Sequence, residues 1–250
     1  MAISVDRVYQ KVLAIANKEQ RGYITPQEFN LFADQAQIEI FEQYFYDLNQ
    51  FKRVVDNDTV YANPTEIIEE KISIFRHFNV GQTITNEFGL IGQVVLPGFD
   101  IHRIESVRVQ FGNMPVKEAS QIDMKEEPLI NQSPLLKPTK TYPKYMRLQD
   151  SANSASRLII YPYPTNQDSV LLNLIRRPRR PNWTYVVSSS SNTALYNAGA
   201  PDAQDFELHP SDESELVHRI LILAGIMMQK ADITQSAAGL ETAKIQQEKI

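Results

Sequence analysis

Cysteine is absent from the 250-residue chain, and this absence excludes several kinds of chemistry. Without thiols the chain can form no disulfide, hold no thiolate-bound metal and use no cysteine nucleophile. Long apolar runs are missing too, because the longest, Ile220 to Met228, is far shorter than the roughly 18 residues of a membrane-spanning helix. Asp6 and Arg7 interrupt any apolar run near the amino terminus, so we expect no secretory signal peptide and no membrane as a partner.

An excess of positive charge is also missing. The chain has 25 basic and 30 acidic residues, a formal net charge of −5 and an isoelectric point near 5.5. A dedicated nucleic-acid-binding protein is usually basic over its surface, so this balance argues against one. Hydrophobic residues make up 42% of the chain, which is enough for a sizeable core, and we expect a folded protein.

Known catalytic motifs are absent as well. The chain has no glycine-rich dinucleotide loop, no P-loop and no glycine-flanked serine. Its four histidines are neither paired at helical spacing nor clustered like metal ligands, so we expect no metal, no cofactor and no enzymatic activity. A hydrolase that uses a carboxylate pair stays open as an alternative, although any chain with 30 acidic residues offers such pairs. The acidic residues considered for it are Asp100, Glu105, Glu126 and Glu127.

The N-terminal third has the pattern of amphipathic helices. Thr25 suits a helix N-cap, Pro26 suits the first helical position, and Glu28 can bond back to the cap. These signals predict a helix from Pro26 to about Asn49, and a similar start at Asn63 predicts a helix over about 64–75. Apolar residues recur along the longer helix at the spacing of one buried face. They are Phe29, Phe32, Ala33, Ala36, Ile40, Tyr44 and Leu48.

Short β-rich runs replace the helical pattern after about residue 80 and alternate with turn signals such as Pro97-Gly98. Helical spacing returns near residue 205, where Ser211 suits a cap and Asp212 suits the negatively charged first turn. We therefore predict an α+β fold in which a helical bundle carries a β-rich insertion. The predicted parts are the N-terminal helices in 1–80, the insertion in 81–204 and the C-terminal helices in 205–250.

An arginine-rich segment ends the predicted insertion. Its prolines keep the backbone extended, so that successive side chains point in different directions. A contact with a partner's carboxylates, a contact with phosphate and a solvated strand end all stay open. The candidate interface residues of this segment are Arg176, Arg177, Arg179, Arg180 and Trp183.

A polar stretch ends the chain and is predicted to be a helix from Asp232 to Ile250. Its apolar face is thin, and such a helix is marginal in isolation. We therefore expect this helix to dock on a partner. The candidate interface residues in it are Asp232, Gln235, Leu240 and Ile245.

Two stretches of the sequence resemble a family of virion proteins. Residues Val5 to Phe45, with the run from Ala16 to Pro26 at their centre, resemble virion proteins of short-tailed bacteriophages, including crAss-like phages. The C-terminal part, from Arg176 through Ser211 to Gln229, resembles the head-to-tail adaptor or tail-tubular ring proteins of such phages.

This resemblance implies a structural role. Proteins of this family form rings, often twelve-fold, that connect the portal to the tail and line the channel for DNA ejection. They have no active site and no cofactor. The expected partners are further copies of the chain, the portal protein and the next tail or ring protein, while DNA passes without specific binding. The expected location is the neck or tail of a virion assembled in the cytoplasm of a host bacterium.

Overall fold

The structure is a computed structural model that describes residues 3–17, 24–53, 64–82, 84–85, 93–95, 100–149, 156–165, 167–187 and 194–227, together with residues 239 and 242. It confirms the predicted mixture of helices and strands. The chain divides into two compact units. The helical unit comprises Met1–Ile74 and Pro178–Ile250, and the β unit comprises Phe75–Arg177. Among the described helices, none combines the length and the apolarity needed to cross a membrane.

The helical unit contains, within the residues that the structure describes, α1 Val5–Asn17, α2 Pro26–Arg53, α3 Pro64–Ser73 and α5 Glu213–Met227. The predicted capping box begins α2: the Thr25 amide donates to Glu28 Oε2 over 3.0 Å, and the Glu28 amide donates to Thr25 Oγ1 over 3.3 Å. The pKa of Glu28 is lowered because the Thr25 amide and hydroxyl donate to its carboxylate. Local sequence therefore suffices to place this helix start.

The long helix α2 lies against both α3 and α5, and α1 packs on α5. Most of the predicted apolar face of α2 is buried, and Phe32 and Leu48 at its margin are partly buried. Gln37 is also fully buried in this helix, a position that the apolar pattern did not identify. The buried members of the predicted face are Phe29, Ala33, Ala36, Ile40 and Tyr44.

The start of α5 differs from the prediction. Ser211, the predicted cap, lies inside a 3-10 turn over Pro210–Asp212 that precedes the helix, and His209 caps that turn: its Nδ1 accepts the Ser211 amide over 3.3 Å. Asp212 was expected in the first turn of α5, but it lies in the preceding 3-10 turn and is 1% exposed. Its burial follows from tertiary partners on other helices, which local sequence does not reveal.

Among the described residues of the β unit, eight strands form one sheet, in the order β1-β8-β4-β5-β6-β7-β3-β2. Neighbouring strands are antiparallel except for β5 and β6, which pair in parallel at Ser120–Lys144 and Gln121–Tyr145. A short helix, α4 (Glu127–Gln132), lies in the connection between those two strands. The strand bounds are β1 Arg76–Gln82, β2 Ile84–Thr85, β3 Gln93–Val95, β4 Ile101–Gln110, β5 Lys117–Gln121, β6 Lys144–Gln149, β7 Ser156–Tyr161 and β8 Ser169–Arg176.

The core of the β unit consists of side chains from one face of this sheet. Residues from strands that are not neighbours in the sheet, such as Leu172 on β8 and Leu158 on β7, belong to one buried cluster. The sheet curls, so that this face is buried against itself. On the opposite face a second cluster joins Ile130 of α4 to Met146 and Ile159.

Asp168 joins two turns of the β unit. Its Oδ1 accepts the Gly112 amide over 2.7 Å, and its Oδ2 accepts the Thr165 amide over 2.6 Å and the Thr165 hydroxyl over 2.9 Å. Gly112 has a φ of +52°, a conformation that favours glycine. Burial raises the pKa of Asp168, but the donors from Thr165 and Gly112 outweigh burial and hold the pKa below its ordinary value.

Replacing Asp168 with alanine is expected to lower the free energy of unfolding by about 1–2 kcal/mol near neutral pH. A carboxylate with a lowered folded-state pKa contributes stability above its unfolded pKa, and this contribution is lost as pH falls through the folded pKa. The difference between wild type and Asp168→Ala should therefore shrink on acidification. Urea melts followed by circular dichroism over a pH series would measure it. A difference that stays constant down to acid pH would contradict the assigned role of the charge.

Candidate functional site

Residues 179–183 of the arginine-rich segment lie along α2 and are held there mainly through their backbone. Gln37 Nε2 donates to the carbonyl of Arg179 over 2.7 Å, and Gln37 Oε1 accepts the Glu207 amide over 3.1 Å. The Arg179 amide in turn donates to Glu207 Oε2 over 2.7 Å. Because Gln37 is fully buried, these bonds fix the segment in position.

Two further residues of α2 continue this attachment. The Trp183 amide donates to Asn30 Oδ1 over 2.9 Å, and Asn30 Nδ2 donates to Asn182 Oδ1 over 2.9 Å. Arg180 Nε forms an ion pair with Asp34 Oδ2 at 2.9 Å. A stripe of polar residues lies at helical spacing beside the apolar face of α2: Asn30, Asp34 and Gln37. This spacing is the one sequence signal that could have identified the attachment of the segment.

Trp183 lies in the core of the helical unit. It is 2% exposed, and its ring centroid is 4.3 Å from that of Tyr9 and close to those of Tyr185 and Tyr196. Its indole Nε1 donates to Asp6 Oδ1 over 3.0 Å. The side chain predicted to contact a neighbour is thus occupied within its own chain. Residues 178–204, which were predicted to belong to the insertion, group with the helices.

The four arginines have different surroundings. Arg176 ends β8, donates from Nε to His77 Nε2 over 3.0 Å and lies over the Phe75 ring. Arg177 is exposed, and its backbone amide donates to the Asp100 carbonyl over 2.8 Å. Arg179 and Arg180 are exposed in the helical unit. Arg179 and Arg180 are therefore exposed side chains on a hydrogen-bonded backbone. Arg176 instead contacts residues of the β unit.

The other predicted residues carry less information. The candidates Asp232, Gln235, Leu240 and Ile245 lie outside the described residues. Among the carboxylates considered for a hydrolase, Glu105 lies on β4 and forms an ion pair with Arg76 of β1 at 3.1 Å. Glu127 lies on α4. In the described ranges no three histidine or acidic side chains come close enough together to hold a metal ion.

A buried polar cluster joins α2 and α3 to the 3-10 turn that precedes α5. Asp212 Oδ2 accepts the Tyr44 hydroxyl over 2.5 Å, and Asp212 Oδ1 forms an ion pair with Lys71 Nζ at 2.7 Å. Lys71 also lies 5.6 Å from the centroid of the Tyr44 ring. Burial raises the pKa of the Tyr44 phenol above its ordinary value, and the negative charge of Asp212 raises it further.

The same cluster reaches the surface through a serine and a histidine. Ser211 Oγ lies 2.8 Å from His209 Nδ1 and 3.2 Å from Asp212 Oδ1. In a hydrolase triad the carboxylate bonds to the second ring nitrogen of the histidine and orients it. Here the carboxylate and the histidine both contact the serine, so the geometry is that of a helix cap and not of an activated nucleophile.

A scan against protein-family models and a search of the curated proteins gave no match to this chain.

Proposed function

We propose that this chain is a structural virion protein, a head-to-tail connector of a short-tailed bacteriophage. Copies of it would form a ring that joins the portal to the tail and lines the DNA channel. In this proposal the helices form a bundle that contacts neighbours, and residues 75–177 form its β-rich insertion. The protein would have no catalytic role and would be located in the neck or tail of the virion.

One observation carries the proposal beyond the resemblance: two arginines are presented by a backbone that is already ordered. Arg179 and Arg180 are exposed, while Gln37, Asn30 and Glu207 hold the chain around them. An ordered segment loses little conformational entropy when it binds. Exposed arginine side chains on an ordered backbone therefore suit a contact with carboxylates that recurs between each pair of neighbouring subunits.

The overall charge agrees with a channel protein. At a net charge of −5, an acidic wall would repel phosphates, so that DNA would slide along it instead of binding. The alternative function, a nucleic-acid-binding module, would use the same arginines to contact phosphates.

The experiment that tests the proposal compares particles assembled in the presence of the wild-type chain with particles assembled in the presence of the Arg179→Glu/Arg180→Glu chain. We expect electron micrographs of the wild-type particle to show many copies in a ring on the portal axis, and the charge-reversed chain to be lost from the particle. Stability should change little, because an exposed ion pair such as Arg180–Asp34 contributes only about 0–1 kcal/mol. Wild-type chain absent from every particle would contradict the proposed function.

A matched control is Lys52→Glu. Lys52 is an exposed cation of the same helical unit, and it pairs with Glu69 at 3.6 Å. This variant should enter the particle normally. If the purified wild-type chain instead bound DNA tightly, with an affinity that falls steeply with salt, the nucleic-acid-binding alternative would replace the connector function.

A further inference from the structure

A two-stranded ribbon leaves the core of the helical unit. Its strands are β9 (Tyr185–Val187) and β10 (Ala194–Tyr196), which pair in antiparallel fashion with Leu195 opposite Val186. The rings of Tyr185 and Tyr196 lie stacked 5.9 and 5.8 Å from the buried Trp183, so the core holds the base of the ribbon.

The ribbon exposes apolar side chains and unpaired strand edges. Val186, Val187 and Leu195 are 55%, 53% and 58% exposed. In the part of the chain that the structure describes, neither strand pairs with a third one. Edge strands that stay in water usually carry charges, prolines or bulges that prevent pairing with another chain. Residues 181–201 contain no charged side chain, so the ribbon lacks the usual charge protection.

The hydrogen-bond pattern shows which backbone groups face outward. The Asn197 amide donates to the Thr184 carbonyl over 2.9 Å, so these two residues form a hydrogen-bonded pair. Because such pairs alternate along an antiparallel ladder, Val186 and Leu195 bond to each other. The backbone groups of Tyr185 and Val187 therefore point to one outer edge, and those of Ala194 and Tyr196 point to the other.

We propose that β9 of one copy pairs with β10 of the next copy, so that neighbours in the ring share a continuous antiparallel sheet. This inference rests on the proposed function and names the contact between copies. The two outer edges belong to one ribbon and complement each other, so a copy on each side satisfies both without another protein. The absence of charge favours the same occupant, because identical segments with a net charge would repel each other.

Single cysteines test the contact, because the chain has no cysteine of its own. In an edge-to-edge pairing, Val186 of one copy faces β10 of its neighbour at the close spacing of a non-hydrogen-bonded pair. Particles are assembled from a mixture of Val186→Cys and Leu195→Cys chains and mildly oxidised. We expect disulfide-linked dimers that contain one chain of each variant.

The second test removes a backbone hydrogen-bond donor from the outer edge of β9. Val187→Pro removes an outward amide while leaving the bond between Val186 and Leu195, whereas Val187→Thr is a control that keeps the amide and the β-branched shape. We expect the proline variant to be lost from the ring and the threonine variant to be retained.

The outcomes separate the two proposals. Rings that form with the proline variant, and without mixed dimers between the cysteine variants, would overturn the shared sheet and leave the connector function standing. A wild-type chain that forms no ring in the particle would overturn both.

Discussion

Replacing Asp212 with alanine is expected to lower the free energy of unfolding of the helical unit by about 3–5 kcal/mol, because it leaves a buried cation without its partner. Lys71 is 14% exposed at its side chain, and Asp212 is the carboxylate 2.7 Å from its Nζ. The Tyr44 hydroxyl would lose its acceptor in the same variant. Urea melts followed by the fluorescence of Trp183, the single tryptophan of the chain, would measure the change.

Three further variants separate the contributions to this loss. Asp212→Asn keeps an acceptor for Tyr44 but removes the charge, and it should cost less than alanine. Tyr44→Phe removes one hydrogen bond and should cost about 1 kcal/mol. Adding Lys71→Met to Asp212→Ala should recover part of the stability, because it removes the unpaired buried charge. If Asp212→Ala were no more destabilising than Tyr44→Phe, Asp212 would not be the centre of the cluster.

Replacing Trp183 with alanine is expected to destabilise the helical unit by about 3–5 kcal/mol, the usual cost of removing a large buried aromatic side chain. Trp183 is 2% exposed and contacts the rings of Tyr9, Tyr185 and Tyr196. Its loss would open a cavity between α1 and the base of the ribbon. Because the variant has no tryptophan, circular dichroism must follow its urea melt.

Trp183→Phe is the matched control. It keeps an aromatic ring in the core and removes the indole donor to Asp6, so it should cost less than half as much as alanine. A stable Trp183→Ala protein that fails to join the ring would instead assign the indole to a contact with a neighbour, as the sequence predicted. A destabilised protein agrees with its buried position.

Local sequence predicted helix α2 well. The capping box at Thr25 and Glu28 and the apolar face of α2 depend on residues at most a few turns apart, and both are confirmed. The mixture of helices with a β-rich middle is likewise a property of periodicity and turn residues. The C-terminal helix predicted from Asp232 stays a prediction.

The candidate site was only partly predictable. Composition drew attention to the arginines and to Trp183 because they are conspicuous in sequence. It could not show that Trp183 is buried or that Arg179 and Arg180 belong to the helical unit, since both depend on residues far away in the chain. Gln37 shows the same limit, because its bonds to Arg179 and Glu207 span 142 and 170 residues.

The sequence by itself therefore determined helix α2 with its capping box, the α+β class and the absence of thiol chemistry, because these follow from short spacings and from composition. Only the tertiary structure decided the strand order, the parallel pairing of β5 with β6, the burial of Asp212 and the exposed ribbon. Each of these depends on which distant segments meet. A side chain is buried or exposed according to its neighbours in space, and spacing along the chain does not specify them.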